Sequence, residues 1–120
     1  MVRAAKFPPF GERGVSGGLP HLQFRTFPAA EAYAALNDAT MVIVQFESAA
    51  AVEQAEEIVA VEGVDMVLMG TNDLMADMGI PGEFEHARVR DAYIRTIAAC
   101  RKHGKHVGVG GLSSRPKLAD

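Results

Sequence analysis

Two acidic side chains follow apolar runs that the sequence predicts to be β-strands. Glu47 ends the run that starts at Met41, and Asp73 follows the run that starts at Val64. Parallel strands joined by a helix place their carboxyl ends at one edge of a sheet, where α/β proteins build their sites. Carboxylate oxygens are the ligands that hard divalent cations such as Mg²⁺ and Mn²⁺ prefer. We therefore expect Glu47 and Asp73 to hold a metal ion beside a small oxygen-rich ligand.

Each acid also has an ordinary interpretation. Glu47 could simply be an exposed residue at a strand end, although strand alternation places Gln45 on the same face, and polar groups that face a sheet interior need partners. Asp73 precedes the short helical segment Leu74–Met78 and could be its N-cap. One carboxylate oxygen can cap a helix while the other binds a metal, so both interpretations of Asp73 stay open.

Other residues that could do chemistry give weaker signals. The turn Gly11–Gly14 could hold Arg13 toward a carboxylate, or Arg13 could be a solvated loop residue. The run Gly108–Gly111 could cradle a phosphate, but it has no P-loop lysine. Cys100 lies on an apolar helix face and is interpreted as an inert core thiol. The histidines do not show zinc-site spacing; they are His21, His86, His103 and His106.

The apolar pattern predicts an α/β fold. Residues 1–28 lack periodicity and hold many prolines and glycines, which predicts a long loop of the kind that is usually functional. Predicted strands cover residues 41–46, 64–69 and 106–109, and predicted helices cover 28–36, 49–61, 74–78 and 85–103. This alternation indicates parallel strands with right-handed crossovers. We expect one domain over 1–120, made of the loop 1–28, β/α units over 29–112 and a tail over 113–120.

Local signals refine three of these elements. The strand 41–46 is apolar at nearly every position, which predicts burial of both its faces. Ser48 is a predicted N-cap for the helix that follows, and Gly63 a predicted C-cap. The longest helix should bury a stripe at helical spacing, formed by Val89, Tyr93, Ile97 and Cys100.

Composition excludes several classes of protein. The hydrophobic fraction of 48% permits a packed core, and the formal net charge of −3 argues against a nucleic-acid partner. No run approaches the roughly 18 apolar residues of a membrane span, and the basic start leads into Phe7–Phe10 instead of a signal core. The single cysteine excludes an internal disulfide and fits a reducing cytoplasm. We expect a cytoplasmic protein with neither a nucleic-acid nor a membrane partner.

Several of these segments together resemble a known enzyme family. The segments Val44–Ser48, Val61–Gly70, Asp73–Leu74 and Met78–Gly79 resemble the HpcH/HpaI family of metal-dependent class II pyruvate aldolases, the 4-hydroxy-2-oxoheptane-1,7-dioate aldolase type. The loop Pro8–Val15 is similar to that family's Pro-Pro-x-Gly-x-Arg-Gly loop. The resemblance extends over about residues 7–112.

The resemblance implies a TIM (β/α)₈ barrel, of which this chain matches about the second half, because a complete barrel needs about 250 residues. It implies Glu47 and Asp73 as ligands of Mg²⁺, Mn²⁺ or Co²⁺. It also implies that Gln45, Asn72 and Asp73 contact a pyruvate-type 2-oxo acid. Thr71 stands where many relatives carry proline, and Asn72 where many carry a small residue. The family's catalytic histidine, its supporting aspartate and its transition-state arginine belong to the first half, so the catalytic residues stay unassigned.

The function that the resemblance implies is a carbon–carbon lyase. Such an aldolase cleaves or forms 4-hydroxy-2-oxo acids from a 2-oxo acid and an aldehyde through a metal-stabilised pyruvate enolate. This chain would act as part of a longer chain or an assembly, with a homo-oligomer expected. One alternative is a non-catalytic half-barrel that serves as a binding or assembly module. The other is the cleavage of a thioester such as malyl-CoA or citryl-CoA.

Overall fold

The structure is a computed structural model that describes residues 1–112, so the predicted tail over 113–120 lies outside the described residues. The chain divides into two compact units, Met1–Val42 and a second unit that begins at Ile43. That a single domain covers residues 1–120 stays a prediction.

The first unit is built around Phe7. It contains helix α1 (Val2–Ala5), a 3₁₀ turn (Pro20–Leu22) and helix α2 (Ala29–Ala39), so the segment predicted as a bare loop carries two short helical elements. The Phe7 ring is fully buried and stacks on Tyr33, with 4.6 Å between ring centroids. The Asn37 amide accepts a hydrogen bond from the Phe7 N–H at 2.6 Å and donates to the Phe7 carbonyl at 3.0 Å.

These bonds explain why α2 runs past its predicted end. The predicted helix ends at residue 36, before Asn37 and Asp38, and the side chains of asparagine and aspartate usually compete with helical hydrogen bonds. Here the Asn37 side chain is used to satisfy the backbone of a buried residue, which would otherwise cost free energy. The helix therefore continues to Ala39.

The second unit is a three-stranded parallel sheet with helical crossovers. Its strands pair in the order β1–β2–β3, and the sheet is not closed within the described residues, which confirms a partial α/β fold with parallel strands. Strands and helices are β1 (Ile43–Phe46), α3 (Ala49–Glu53), α4 (Ala55–Val59), β2 (Met66–Gly70), α5 (Thr71–Asp77), α6 (Ala87–Lys102) and β3 (His106–Gly110).

The two faces of the sheet differ in burial. On one face the side chains of Phe46, Val67 and Met69 are almost wholly inaccessible to solvent. On the other face Ile43 is 47% exposed and Gln45 is also exposed. Strand β1 therefore alternates between exposed and buried residues, and the prediction that both of its faces are buried is wrong. Apolar residues on the open face of an unclosed sheet keep part of their surface in water.

The crossover from β1 to β2 begins as predicted and then breaks. The Ser48 hydroxyl accepts a hydrogen bond from the Ala51 N–H at 3.2 Å, which confirms Ser48 as the N-cap of α3. The single helix predicted over residues 49–61 is two short helices, because the chain leaves helical geometry at Gln54. Gly63 has a φ of +85°, a conformation that glycine adopts without strain, and it turns the chain toward β2.

Helix α6 buries a different stripe from the one that its apolar residues predict. Val89 and Cys100 are buried as expected, whereas Tyr93 and Ile97 are only half-buried. Steps of four residues advance about 40° beyond a full turn, so positions 89, 93 and 97 drift around the helix. Alternating steps of three and four stay on one face, and that face holds Val89, Ala92, Thr96, Ala99 and Cys100.

Long basic side chains tie α6 to the ends of the shorter helices. Arg88 Nη1 donates to the Met78 carbonyl at the end of α5, at 2.9 Å. Lys102 Nζ lies 2.7 Å from Glu56 Oε1 on α4, and His103 Nε2 lies 2.6 Å from the same oxygen. The position of Arg88 at the C-terminus of α5 is favourable, because the last carbonyls of a helix have no helical partner and attract a cation.

Within residues 1–112 no helix combines the length and the apolar character that a membrane crossing requires.

The contact of α4 with α6 should make stability depend on pH. Hydrogen bonds from Lys102 and then from His103 lower the pKa of Glu56 from its ordinary value of 4.5. A lowered folded-state pKa adds stability above pH 4.5 that is lost as pH falls through the folded-state pKa. We expect Glu56→Gln to lower the urea midpoint at about pH 6 and to have a smaller effect as pH falls below 4.5. Glu57→Gln, on the same helix, is the control, and equal shifts for both variants would contradict this account.

The α6 stripe predicts unequal effects for two truncations on the same helix. Val89 is fully buried, whereas Ile94 is 57% exposed. Val89→Ala should lower the free energy of unfolding by about 2 kcal/mol, because it removes buried methyl groups and leaves a cavity. Ile94→Ala should be near neutral, since both variants gain helix propensity and only Val89→Ala loses core packing. Equilibrium urea unfolding compares them, and equal losses would show that the stripe is misassigned.

Candidate metal and substrate site

The strand register brings three chain positions level at the carboxyl edge of the sheet. Phe46 pairs with Met69, so Glu47 follows β1 at the level of Gly70. Gly70 pairs in turn with Gly110 at the end of β3. An acidic residue and two glycines thus occupy one row where the three strands end, which is the edge at which the sequence places the site.

Gly70 makes room for the side chains of Gln45 and Glu47. A Cβ atom at position 70 would lie 2.9 Å from Gln45 Nε2 and 2.9 Å from Glu47 Cγ, both closer than real Cβ contacts allow. The φ of Gly70 is −83°, which any residue adopts, so a side chain at this position would conflict with the side chains of Gln45 and Glu47 and not with the backbone conformation. Both side chains therefore lie directly over the end of β2.

Gln45 orients Glu47. The Gln45 side chain donates a hydrogen bond from Nε2 to Glu47 Oε1, which places the two residues on the same face as alternation predicts. Both residues are exposed, so the second oxygen of Glu47 can meet water or a ligand. A carboxylate that is held by one hydrogen bond and open on its other side is suited to metal ligation.

Asp73 lies in the first turn of α5 and does not cap that helix. The helix begins at Thr71 and its N-cap is Gly70, which has no side chain to cap the helix, so the interpretation of Asp73 as the N-cap is wrong. An acidic residue in the first turn is favourable because the helix N-terminus carries partial positive charge. Asp73 is exposed, and among the described residues its carboxylate has no recorded hydrogen bond or ion pair.

Two hydroxyl groups join α5 to β3 and α6. Thr71 Oγ1 donates to the Gly110 carbonyl at 2.8 Å and lies 2.6 Å from the Tyr93 hydroxyl oxygen. Thr71 is buried, so its hydroxyl needs partners. The sequence interpretation missed this pair, because it assigned Tyr93 to the apolar stripe. A tyrosine at the margin of a helix stripe was the available signal, since a partly buried phenol usually finds a polar partner.

Asn72 lies over Gly111. A Cβ atom at position 111 would be 2.9 Å from Asn72 Nδ2, and Gly111 has a φ of +84°, so both space and backbone conformation favour glycine there. Part of the Gly108–Gly111 run, interpreted above as a weak phosphate cradle, thus has a packing role. The Asn72 side chain occupies the volume between the start of α5 and the end of β3.

The other candidate residues lie in different surroundings. In the first unit, the Arg13 guanidinium lies 4.7 Å from the centroid of the Phe7 ring, and Nη2 is 3.0 Å from His21 Nε2, so Arg13 is held by rings and not by a carboxylate. Cys100 is buried, and burial raises the pKa of its thiol, which fits an inert core cysteine. Residues 1–112 contain no group of three or more histidine, cysteine, aspartate or glutamate side chains arranged to hold a metal.

The donor set at the sheet edge suits a hard cation with an open coordination shell. Mg²⁺ in proteins is commonly held by one or two carboxylates, while water and substrate supply the other ligands. Glu47 and Asp73 are two exposed carboxylates. Glu47 lies over Gly70, and Asp73 follows Gly70 by three residues in the chain. Gln45 holds one of them in place. These residues therefore fit a divalent cation that is shared with an oxygen-rich ligand.

Known proteins share both the sequence and the fold of this chain. It is 44% identical over 120 residues to a 4-hydroxy-4-methyl-2-oxoglutarate aldolase of Hapsidospora irregularis, covering 99% of this chain and 44% of that protein. It is 38% identical over 109 residues to a 4-hydroxy-2-oxo-heptane-1,7-dioate aldolase of Escherichia coli, covering 90% and 41%. The chain thus spans less than half the length of these relatives.

Solved structures share the fold of this chain over nearly its whole length. An HpcH/HpaI aldolase from Desulfitobacterium hafniense superposes with a TM-score of 0.87 at 38% identity, covering 98% of this chain and 45% of that chain. A citrate synthase superposes with a TM-score of 0.78 at 26% identity, covering 97% and 43%.

The family resemblance inferred from the motifs is confirmed over nearly the whole chain. The model of the HpcH/HpaI aldolase/citrate lyase family matches residues 1–112, which include Gln45, Glu47, Asn72 and Asp73. Because that match covers far more than half of the sequence, the chain belongs to the HpcH/HpaI aldolase/citrate lyase family.

Proposed function

We propose that this chain supplies the metal-binding and 2-oxo-acid-binding part of a class II aldolase, a carbon–carbon lyase that acts on 4-hydroxy-2-oxo acids. The observation that carries the proposal is the placement of Glu47 over Gly70. A side chain at position 70 would displace Gln45 and Glu47, and Gln45 holds the carboxylate at the carboxyl edge of the sheet, beside the segment that bears Asp73.

The substrate class follows from the names of the relatives. The two aldolases compared above act, by name, on substrates that share a 4-hydroxy-2-oxo acid core. Cleavage of such an acid between C3 and C4 releases a 2-oxo acid and a carbonyl compound. We assign the 2-oxo acid to the site at Glu47 and Asp73, because a keto oxygen and a carboxylate oxygen are hard donors that complete the shell of a hard cation.

Each residue has a distinct task in this scheme. A bound Mg²⁺, Mn²⁺ or Co²⁺ would supply Lewis acidity toward the charge that develops on the keto oxygen during C–C cleavage. Glu47 and Asp73 hold the cation, and Gln45 keeps the Glu47 carboxylate in position. Gln45, Asp73 and the backbone at Asn72 contact the 2-oxo acid. No residue of this chain is assigned as the general base or as a transition-state arginine.

The wider setting of the site is also part of the proposal. The aldehyde and the proton-transfer residues meet this site in a complete aldolase barrel, and the protein acts in the cytoplasm as a homo-oligomer. Exposed Ile43 on the open face of the sheet supports completion by further structure, because apolar surface of that kind is normally covered in a barrel interior.

The competing functions are a non-catalytic half-barrel that binds a metal or a 2-oxo acid without turnover, and lysis of a citryl-CoA or malyl-CoA type of thioester. The non-catalytic half-barrel is favoured because no residue of this chain is assigned as the general base that turnover requires. The second is favoured by the citrate lyase branch in the family's name and by the structural similarity to a citrate synthase.

Loss of either carboxylate should weaken metal binding. Glu47→Gln and Asp73→Asn each keep the side-chain size and remove a charge, so we expect the Kd for Mn²⁺ to rise by at least about tenfold, since one charged ligand of a divalent cation is worth more than 1.4 kcal/mol. Electron paramagnetic resonance of free Mn²⁺ gives the Kd directly. Glu57→Gln, a substitution of an exposed glutamate on α4, is the matched control. Wild-type affinity in both site variants would refute the ligand assignment.

Pyruvate distinguishes an aldolase site from a binding module. With Mn²⁺ present, bound pyruvate should show a broadened methyl signal in the proton spectrum, and a chelator or Glu47→Gln should abolish the broadening. In D₂O, loss of that methyl signal with time reports proton exchange, which an enolising site catalyses. Broadening with exchange supports the aldolase. Broadening without exchange supports the non-catalytic half-barrel, and binding of coenzyme A in preference to pyruvate supports the thioester lyase.

The space over Gly70 gives a test that leaves every charge in place. Gly70→Ala should displace Gln45 and Glu47 and raise the Kd for Mn²⁺ several-fold, since moving a ligand away from its held geometry weakens coordination. Gly17→Ala, at a position where a Cβ atom would meet no atom within 4 Å beyond the chain neighbours, controls for the general effect of replacing glycine. An unchanged Kd in folded Gly70→Ala would show that the glycine serves another purpose.

A further inference from the structure

The start of α5 has no local device that holds it. The helix is only 7 residues long and its N-cap makes no side-chain hydrogen bond. Helices this short are unstable by themselves, because few backbone bonds offset the cost of nucleation. Yet this segment carries Asn72 and Asp73, both exposed. Its position must therefore be determined by contacts with other elements.

The hydroxyl pair Thr71–Tyr93 provides that contact. Thr71 is 1% exposed, and its Oγ1 atom contacts both the Gly110 carbonyl, at 2.8 Å, and the Tyr93 hydroxyl, at 2.6 Å. One small side chain thus joins the first residue of α5 to the last residue of β3 and to the middle of α6.

The direction of the hydrogen bonds follows from the chemistry of the groups. A carbonyl can only accept, so Thr71 uses its single proton on Gly110. The Tyr93 hydroxyl must then donate to Thr71. The result is a chain of two hydrogen bonds, from Tyr93 to Thr71 and from Thr71 to the Gly110 carbonyl. The buried threonine oxygen accepts the first bond and donates the second. Removal of the Tyr93 hydroxyl takes away the donor to the buried Thr71 oxygen, and removal of the Thr71 hydroxyl takes away the partner of both Tyr93 and the Gly110 carbonyl.

Thr71, one member of the hydroxyl pair, lies close in the chain to Asp73 and to the glycine over which Glu47 lies. Thr71 directly follows Gly70, over which Gln45 and Glu47 lie, and it precedes Asp73 by two residues. The Asn72 side chain of the same segment lies close to Gly111, which follows the end of β3. Small rotations of residues 71–73 would therefore move the Asp73 carboxylate relative to Glu47.

We propose that Tyr93 and Thr71 are positioning residues, whose hydroxyl chain fixes residues 71–73 against Gly110 and so places the Asp73 carboxylate for metal ligation. The metal-directed part rests on the proposed function. Neither hydroxyl touches the metal or the substrate in this scheme, and the effect on binding passes through the backbone of α5.

The test uses the full chain and four variants. Tyr93→Phe and Thr71→Val each remove one hydroxyl with little change of shape, whereas Thr71→Ser keeps the hydroxyl. Tyr33→Phe is the matched control, because Tyr33 is the only other tyrosine in the sequence and packs its ring on Phe7. Two readouts are needed. The first is amide hydrogen exchange at residues 75–77 by NMR, because their N–H groups bond to the carbonyls of residues 71–73 in α5, with the Val67 amide of β2 as the reference for global unfolding. The second is the Kd for Mn²⁺.

In Tyr93→Phe and Thr71→Val, exchange at residues 75–77 should accelerate relative to Val67, and the Kd should rise roughly tenfold, as for loss of an outer-shell contact. Thr71→Ser and Tyr33→Phe should match the wild type. Unchanged exchange in Tyr93→Phe, or faster exchange with an unchanged Kd, overturns the positioning role. Failure of the wild type to bind Mn²⁺ is a different result, which refutes the metal site itself and with it the metal-directed role of the two hydroxyls.

Discussion

The parallel register of three strands is the constraint on which the candidate site depends. Pairing of Phe46 with Met69 and of Gly70 with Gly110 brings Glu47 to the row of the two glycines. A shift of β1 by one residue would reverse which side chains face the helices, so burial of Phe46 and exposure of Glu47 are consequences of the same register. Packing of one sheet face thereby determines where the carboxylate lies.

The site also depends on the absence of side chains at two glycine positions of the sheet edge. Gly70 leaves volume for Gln45 and Glu47, and Gly111 leaves volume for Asn72. Absence of a Cβ atom at these two positions lets polar side chains lie directly over the strand ends, where an oxygen-rich ligand can reach them.

Helix α6 contacts both ends of α5, the helix that follows β2 at this edge of the sheet. Helix α6 buries a face of small and medium side chains, and its margin presents Tyr93 to Thr71 while Arg88 reaches the end of α5 at Met78. Both ends of a short helix are thus held by one long helix. The long helix has a large buried face of its own, so it can act as the rigid element against which α5 is placed.

The sequence by itself determined the strand-helix order, the N-cap at Ser48, the pairing of Gln45 and Glu47 on one face and the family, because each rests on local periodicity or on short motifs. Tertiary structure decided that β1 has one exposed face, that Asp73 does not cap α5 and that Thr71 bonds Tyr93. These features depend on which surfaces meet, and contacts between residues far apart in the chain leave no regular spacing in the sequence from which they could be predicted.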